Sequence, residues 1–447
     1  MSEKAIILVY VEQTMRINKL SIENFKCFKS ADIELGKLTL LTGANSSGKS
    51  SMMYSILGAL QSGEFPFQFS PNGKYVNMGD FREVSYKHNK DNIIKVGLSI
   101  NNDEKNRPIE LITWWKEDKV RKLPQLNKLI LKTIFFNLEI IKKKKYVLNS
   151  EILHKEFFDD MIGWWDHAPP LKIMPLEPQA RHLKKKSLTF DNLDDIEKLI
   201  KKIKDISLFS IISQIKPLLN EIACNVNFIS SFRLHPERTY YERTETDLKV
   251  GKFGENYIDQ IILWETQKAK EYKKLIGIMK DLSLLNSISS KRMAGGRFEI
   301  VVKVNEDSVP ASLNDVGFGV SQFLPIVVAD LQLPENSTLF VAQPEIHLHP
   351  SVQAQLGYYL IDQIKDANKN YIIETHSEYL LNRIRLAIVK KEISREDVKV
   401  YYFKEDEGEV ITHKLEFTED GQILGAPKDF FRTYMMDVMQ IAMKVAE

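Results

Sequence analysis

Eight consecutive residues, Gly43-Ala44-Asn45-Ser46-Ser47-Gly48-Lys49-Ser50, combine two glycines, a lysine and a hydroxyl at fixed offsets. The pattern is G-x-x-x-x-G-K-[ST], and each residue type meets a need of a polyphosphate. The glycines let the backbone turn tightly, so that successive N–H groups face phosphate oxygens. A helix that starts at the lysine adds the partial positive charge of its N-terminus. Lys49 would reach the β and γ phosphates, and the Ser50 hydroxyl would ligate Mg²⁺. Gly43, Ala44, Asn45, Ser46, Ser47, Gly48, Lys49, Ser50 and Ser51 are the candidate nucleotide-binding residues, with Ser50 the metal ligand.

A second group of polar residues lies far downstream. Asp315-Val316-Gly317-Phe318-Gly319-Val320-Ser321-Gln322 is a glycine-punctuated turn that runs into the apolar helical stretch Phe323–Leu331. It is followed by Ser337-Thr338-Leu339-Phe340-Val341-Ala342-Gln343-Pro344-Glu345-Ile346-His347-Leu348-His349-Pro350 and by Tyr371-Ile372-Ile373-Glu374-Thr375-His376-Ser377. Each of the last two reads as an apolar strand ending in a polar tip. His347, His349 and His376 also have the residue type of a zinc site.

Elements that position these groups can be read from apolar patterning. Leu38–Leu41 reads as a buried strand entering the first turn, and Met52–Leu60 as the helix leaving it. Upstream, Arg16–Leu20 and Ala31–Leu35 read as strands. Residues 75–150 alternate short apolar runs with Asn, Asp and Pro breaks, which predicts an antiparallel meander. Residues 191–222 and 254–286 carry helical periodicity, residues 296–304 return to strand, and helices alternate with strands from 350 onward. The pattern is α/β.

Composition sets the frame. The 447 residues hold 62 Lys+Arg against 60 Asp+Glu, so no global basicity announces nucleic acid. Cys27 and Cys224 lie far apart and make no disulfide framework, which fits a reducing cytoplasm. The apolar run Ala5–Val11 is too short to span a membrane, and none of the later runs approaches 18 residues. Between residues 116 and 204, 20 Lys/Arg face 13 Asp/Glu, with runs at Lys142–Lys145, Lys184–Lys186 and Lys201-Lys202. With Phe135, Phe136, Trp164 and Trp165 nearby, that stretch could contact a nucleic-acid backbone, although such runs are often only solvated faces.

The order of these motifs resembles that of ABC-type ATPases, with a signature turn, a Walker B strand and D-loop, and a switch histidine behind the P-loop. More narrowly, the chain is similar to the SMC/RecF-like group that includes the overcoming-lysogenization-defect (OLD) family. The carriers are Ile17-x-x-Leu20-x-Ile22-x-Asn24-Phe25-Lys26-x-Phe28, Gln343-Pro344-Glu345-Ile346-His347-Leu348-His349-Pro350 and Thr375-His376-Ser377. Phe232-Arg233-x-x-Pro236-Glu237-Arg238-x-Tyr240 and Gly421–Phe431 fit stand-alone ATPase subunits of phage-defence systems such as Septu and PARIS. The resemblance covers residues 15–62 and 296–390.

What the resemblance implies is an ABC-type head: a mixed central sheet with flanking helices, interrupted by a mixed helical and β insertion. The implied layout is an extension over 1–14, the P-loop part of the head over 15–110, the insertion over 111–295, and the rest of the head over 296–447. Two heads would sandwich ATP and Mg²⁺, with Gly317, Phe318, Gly319, Ser321 and Gln322 offered in trans to the partner's phosphate. Relatives usually carry a serine where Gly317 stands. His347 and His349 then fall at the dimer seam rather than on a metal, and His376 at the γ-phosphate.

One departure from the family is sharp. Where the Walker B pattern has an acid followed by glutamate, this chain has Ala342 and Gln343. Alanine cannot hold a metal shell, and glutamine orients water without accepting its proton. Ala342 is either a native degeneracy or an introduced alanine that traps ATP. Gln343, Glu345 and His376 are the candidate catalytic residues, and slow hydrolysis is expected. OLD nucleases carry a Toprim domain after the ATPase, and about 70 residues following His376 do not suffice for one, so an effector nuclease or toxin would be a separate protein. Helical runs near 30 residues would make an arm of only about 45 Å, too short for an SMC coiled coil. The favoured reading is a cytoplasmic homo-oligomer, at least a dimer, that regulates such an effector in phage defence, with a nucleic acid or phage component as a further partner and no membrane. The alternatives are a RecF-like DNA-repair ATPase and a catalytically dead interaction module.

Overall fold

The computed structural model describes residues 15–102, 108–133, 136–152, 186–190, 217–241, 249–427 and 430. In chain order, strands β1 (Met15–Phe25), β2 (Phe28–Glu34) and β3 (Leu38–Gly43) come before helix α1 (Lys49–Leu60). Strands β4 (Ile94–Asn102), β5 (Ile109–Glu117), β6 (Pro124–Lys132), β7 (Phe136–Lys142), β8 (Tyr146–Ile152) and β9 (Lys186–Phe190) follow. Then come β10 (Val226–Ile229), β11 (Tyr240–Tyr241), α2 (Tyr257–Thr266), α3 (Lys270–Asp281), β12 (Ser287–Met293), β13 (Arg297–Lys303) and β14 (Ala311–Ser312). The last stretch holds α4 (Phe318–Gln332), β15 (Thr338–Ala342), α5 (Pro350–Ala367), β16 (Asn370–Glu374), α6 (Glu378–Val389), β17 (Val398–Asp406), β18 (Glu409–Phe417) and β19 (Ile423–Leu424).

The chain forms two compact units, Met1–Glu34 with Tyr54–Cys224, and Leu35–Met53 with Asn225–Glu447. In the first, an eight-stranded sheet runs in the order β2-β1-β4-β5-β6-β7-β8-β9, every neighbouring pair antiparallel. Its strands alternate buried and accessible positions, as in β2 and β5, which marks a sheet with one face on a core. The meander read over 75–150 is present, but it begins at Ile94. Residue 111 lies inside β5, which pairs with β4 over seven positions, and residues 295 and 296 form the turn between β12 and β13. The compact units divide the chain at 34/35, 53/54 and 224/225. Strand pairing over long sequence distances makes that division, and no local pattern reports it. Trp164, Trp165, Phe135, Lys184, Lys185, Lys201, Lys202, the extension 1–14 and most of the helix expected over 191–222 lie outside the described residues.

The second unit is built on a seven-stranded sheet in the order β10-β15-β16-β3-β17-β18-β19. Its first five strands are parallel, and β18 and β19 complete it antiparallel. Every residue of β3 and of β16 is buried, as expected of central parallel strands covered on both faces. Helix α4 is buried without interruption from Val320 to Asp330, so it is a core element rather than an amphipathic cover. A shorter sheet of β11, β13 and β12, with β14 paired to β13, accompanies them.

One carboxylate lies inside that core. Asp330, fully buried on α4, accepts hydrogen bonds from the hydroxyls of Tyr359 and Tyr371 and pairs with the Lys369 ammonium at 3.1 Å. Burial and the Asp330 charge push both tyrosine hydroxyls upward, which keeps them donors. The cluster ties α4 to α5 and to the start of β16. Removing its centre would strand a buried ammonium and two hydroxyls. We expect Asp330→Ala to cost about 3–5 kcal/mol and Asp330→Asn less, read as the loss in a urea unfolding titration. A cost below about 1 kcal/mol for the alanine would show that the network is not a structural anchor.

Candidate nucleotide site

Because β3, β15 and β16 run parallel, their C-terminal ends emerge on one edge. The register places Ala342 opposite Glu374, and Glu374 opposite Leu41. The loop between β3 and α1 begins at Gly43, whose φ of 139° only glycine adopts freely. A Cβ there would lie 2.2 Å from the Phe403 carbonyl oxygen on β17, so the close approach of the two strands also demands glycine. Gly48, at φ 97°, makes the second turn, and α1 starts at Lys49. Ala44, Asn45 and Ser46 form the exposed crown, while Ser47 is buried with its Oγ unpartnered. Gly48, Ser50 and Ser51 are half-buried.

Lys49 is only 3% exposed and folds over its own loop, donating from Nζ to the carbonyls of Ala44 at 2.6 Å and Gly43 at 3.2 Å. Burial lowers its pKa, against the opposing pull of Glu374 and Glu345. Ser50 Oγ donates to Glu374 Oε2 at 2.6 Å. Burial raises the Glu374 carboxyl, while this hydrogen bond and Lys49 pull it down. Such a hydroxyl and carboxylate are hard oxygen donors of the type Mg²⁺ takes. The loop with Lys49 and Ser50 thus fits a metal–nucleotide complex, although β15 ends in an alanine.

The tip of β15 is unusual in its backbone. Gln343 sits at φ 47°, a left-handed conformation, with its N–H donating to the Glu374 carbonyl at 2.7 Å. Its carbonyl and that of Ala342 both accept from Arg233 Nη2 at 2.9 Å. Arg233 is 3% exposed, and its Nε and Nη1 have no partner. Burial lowers this guanidinium to about 10, against the attraction of Glu345. Glu345 is itself buried, accepts from the His376 backbone N–H at 2.6 Å, and keeps Oε2 unpartnered. Burial raises its carboxyl, against that backbone hydrogen bond. His376 follows β16; partial burial and then the Lys49 charge lower its pKa. Gln343, Glu345 and His376 are therefore gathered beside Lys49, with Glu374 and Arg233 added.

The glycine turn before α4 forms a second cluster. Gly317 caps the helix and Phe318 is exposed. The Phe318 ring packs between His235, at a centroid distance of 4.9 Å, and His347, at 5.6 Å. A Cβ on Gly319 would sit 3.0 Å from the His347 carbonyl, so the turn abuts the loop that follows β15. Two of the expected contacts face inward instead. Ser321 is 1% exposed and bonds the Phe318 carbonyl through Oγ, and Gln322 is 5% exposed and donates to the Leu234 carbonyl. Burial of α4 on every side from Val320 onward explains this, since beyond the first turn the helix has no exposed face left to present them. His349 caps α5, accepting from the Ser351 N–H. Among the described residues, no group of three His, Cys, Asp or Glu is placed to hold a metal ion.

Neither Glu374 nor Arg233 is among the site residues expected from the sequence. An acid as the last residue of a strand, one position before Thr375-His376, was the available signal. Its alignment with Ala342 and Ser50 depends on sheet register.

A glycine-bounded loop with Lys-Ser, set on the C-terminal edge of a parallel sheet, defines a P-loop nucleotide-binding protein. The AAA ATPase domain family matches residues 15–381, and the chain belongs to that family. No curated protein matches it. Among solved structures, it is similar to the Smc head domain of Pyrococcus furiosus, which carries an extended coiled coil and is bound to the C-terminal domain of ScpA. That likeness has 13% identity and a TM-score of 0.40, over 97% of this chain and 100% of the other. The SMC head domain of Thermotoga maritima has 11% identity and a TM-score of 0.40, over 90% of this chain and 99% of the other. At that level neither bears on partners or activity. Among the described residues, no helix is long and apolar enough to cross a membrane.

Two outcomes follow from the site's electrostatics and space. A positive Lys49 disfavours a second positive charge on His376, so Lys49→Met should raise the histidine pKa toward the ordinary value of about 6.5 in an NMR titration. An unchanged or lower value would remove Lys49 from its surroundings. At Gly317, φ is −58° and a Cβ would meet nothing within 4 Å, so Gly317→Ser should shift unfolding by less than about 0.5 kcal/mol. A larger loss would mean that the turn needs glycine itself.

Proposed function

We propose that this chain is an ATP-binding ABC-type head that closes in pairs around Mg·ATP and, by its occupancy, controls a separate effector, a nuclease or toxin, in phage defence. The observation that carries the reading is a complete loop, with Lys49 and Ser50 in place, beside a β15 tip that ends in Ala342. Such a site binds nucleotide and turns it over slowly.

In this reading Lys49 leaves the Gly43 and Ala44 carbonyls for the β and γ phosphates, and the loop amides hold their oxygens. Ser50 ligates Mg²⁺. Gln343 orients water but takes no proton from it, Glu345 supports the turn that carries His376, and His376 reads the γ-phosphate. The exposed Gly317–Gly319 turn offers backbone N–H groups to the nucleotide held by a second copy. Two separated cysteines and the absence of a long apolar run agree with a cytoplasmic setting.

A second reading, a RecF-like ATPase that binds DNA directly, draws on the 20 Lys/Arg against 13 Asp/Glu between residues 116 and 204. Binding to DNA ends that falls steeply with salt would favour it. A chain that binds no ATP at all would be left as an interaction module.

The test measures ATP binding and phosphate release together for the chain as written, Ala342→Glu and Lys49→Ala. We expect equal binding for the first two, none for Lys49→Ala, and faster hydrolysis for Ala342→Glu by roughly 100- to 1,000-fold, about 3–4 kcal/mol. Turnover by the unaltered chain at about 1–100 per second would reject the slow-ATPase reading.

A further inference from the structure

We infer that Glu374, on β16, supplies to the bound nucleotide's Mg²⁺ the carboxylate that β15 lacks, by holding the proton of Ser50 and the metal's hydration shell. The inference rests on the ATP reading above and adds a residue to it.

Register is the first support. Glu374 is the Cα partner of Ala342, so the next strand places an acid directly beside the position where β15 offers only a methyl group. The second support is the hydrogen bond from Ser50 Oγ to Glu374 Oε2 at 2.6 Å. A hydroxyl has one proton and two lone pairs. When that proton is donated in a hydrogen bond to a carboxylate, the lone pairs stay free for a cation bound at the loop. Third, Glu374 is only 5% exposed, so its carboxyl is held at the loop by the strand rather than by solvent. Carboxylate oxygens and phosphate oxygens at one site are both acceptors and are accommodated together when a cation lies between them. Mg²⁺ is such a cation, and it keeps several waters that a carboxylate can hold. The arrangement secures metal for binding. It leaves position 342 without the oxygen that would position the metal and its water in the transition state, so turnover stays slow.

The test compares ATP dissociation constants in Mg²⁺ and in EDTA for the unaltered chain and Glu374→Gln, which keeps the shape and the acceptor for Ser50 but removes the charge. We expect Mg²⁺ to tighten ATP binding to the unaltered chain, and Glu374→Gln to lose roughly 10- to 100-fold of that gain, as for other groups that orient a metal ligand. In EDTA the variant should bind ATP as well as the parent or better, because a negative charge near the phosphates is gone. A merely structural role would weaken both conditions alike. Adding Ala342→Asp to Glu374→Gln should restore the Mg²⁺ gain across the register pair. If Glu374→Gln unfolds by circular dichroism, Glu374→Asp takes its place, with a smaller loss expected from its withdrawn carboxylate. An undiminished Mg²⁺ gain in the variant, or none in the parent, overturns this inference alone. Absence of ATP binding in both media overturns the nucleotide reading with it.

Discussion

Parallel pairing of β3, β15 and β16 brings the groups of the site together. Parallel strands release all their C-terminal ends on one edge, so the phosphate loop, the Ala342 tip and the Glu374–His376 tip converge without any local signal in common. The pairing is held by apolar strands buried on both faces. It is tightened where Gly43 lets β3 lie against Phe403 of β17 at a distance no side chain tolerates. Every functional distance described above is a consequence of that ladder and its register.

Buried charge is treated in two different ways within the same unit. In the core, Asp330 is surrounded by Lys369, Tyr359 and Tyr371, and its demand for partners is met there. At the sheet edge, Arg233 keeps two nitrogens, Glu345 one oxygen and Ser47 its hydroxyl without partners. Burying polar atoms unpaired costs free energy, on the order of 1–3 kcal/mol each. The satisfied cluster is a structural anchor, whereas the unsatisfied one collects where the strand ends and the loop meet, which is where a charged ligand would be received.

The altered β15 tip changes the division of labour rather than erasing the site. Arg233 fixes the carbonyls of Ala342 and Gln343, and Glu345 fixes the backbone of His376, so the loops hold their shape without an acid at position 342. Metal affinity and proton transfer are separable demands: the first needs a fixed oxygen near Ser50, the second a basic group near water. Glu374 addresses the first from a neighbouring strand. Nothing else on β15 addresses the second, since Gln343 is an amide.

The local elements of the site are legible from neighbouring residues. Two glycines, Lys49 and Ser50 between an apolar run and a helix specify the loop, because φ requirements and the helix N-terminus are properties of a dozen neighbouring residues. The Gly317–Gly319 turn, the β15 and β16 strands and the alanine in place of an acid were legible for the same reason. Which residues stand opposite one another depends on strand pairing and packing. Glu374 meets Ser50 across 324 positions and Arg233 meets Ala342 across 109, separations over which periodicity carries no register. Burial of Ser321 and Gln322 belongs to the same level, since it is settled by the packed whole.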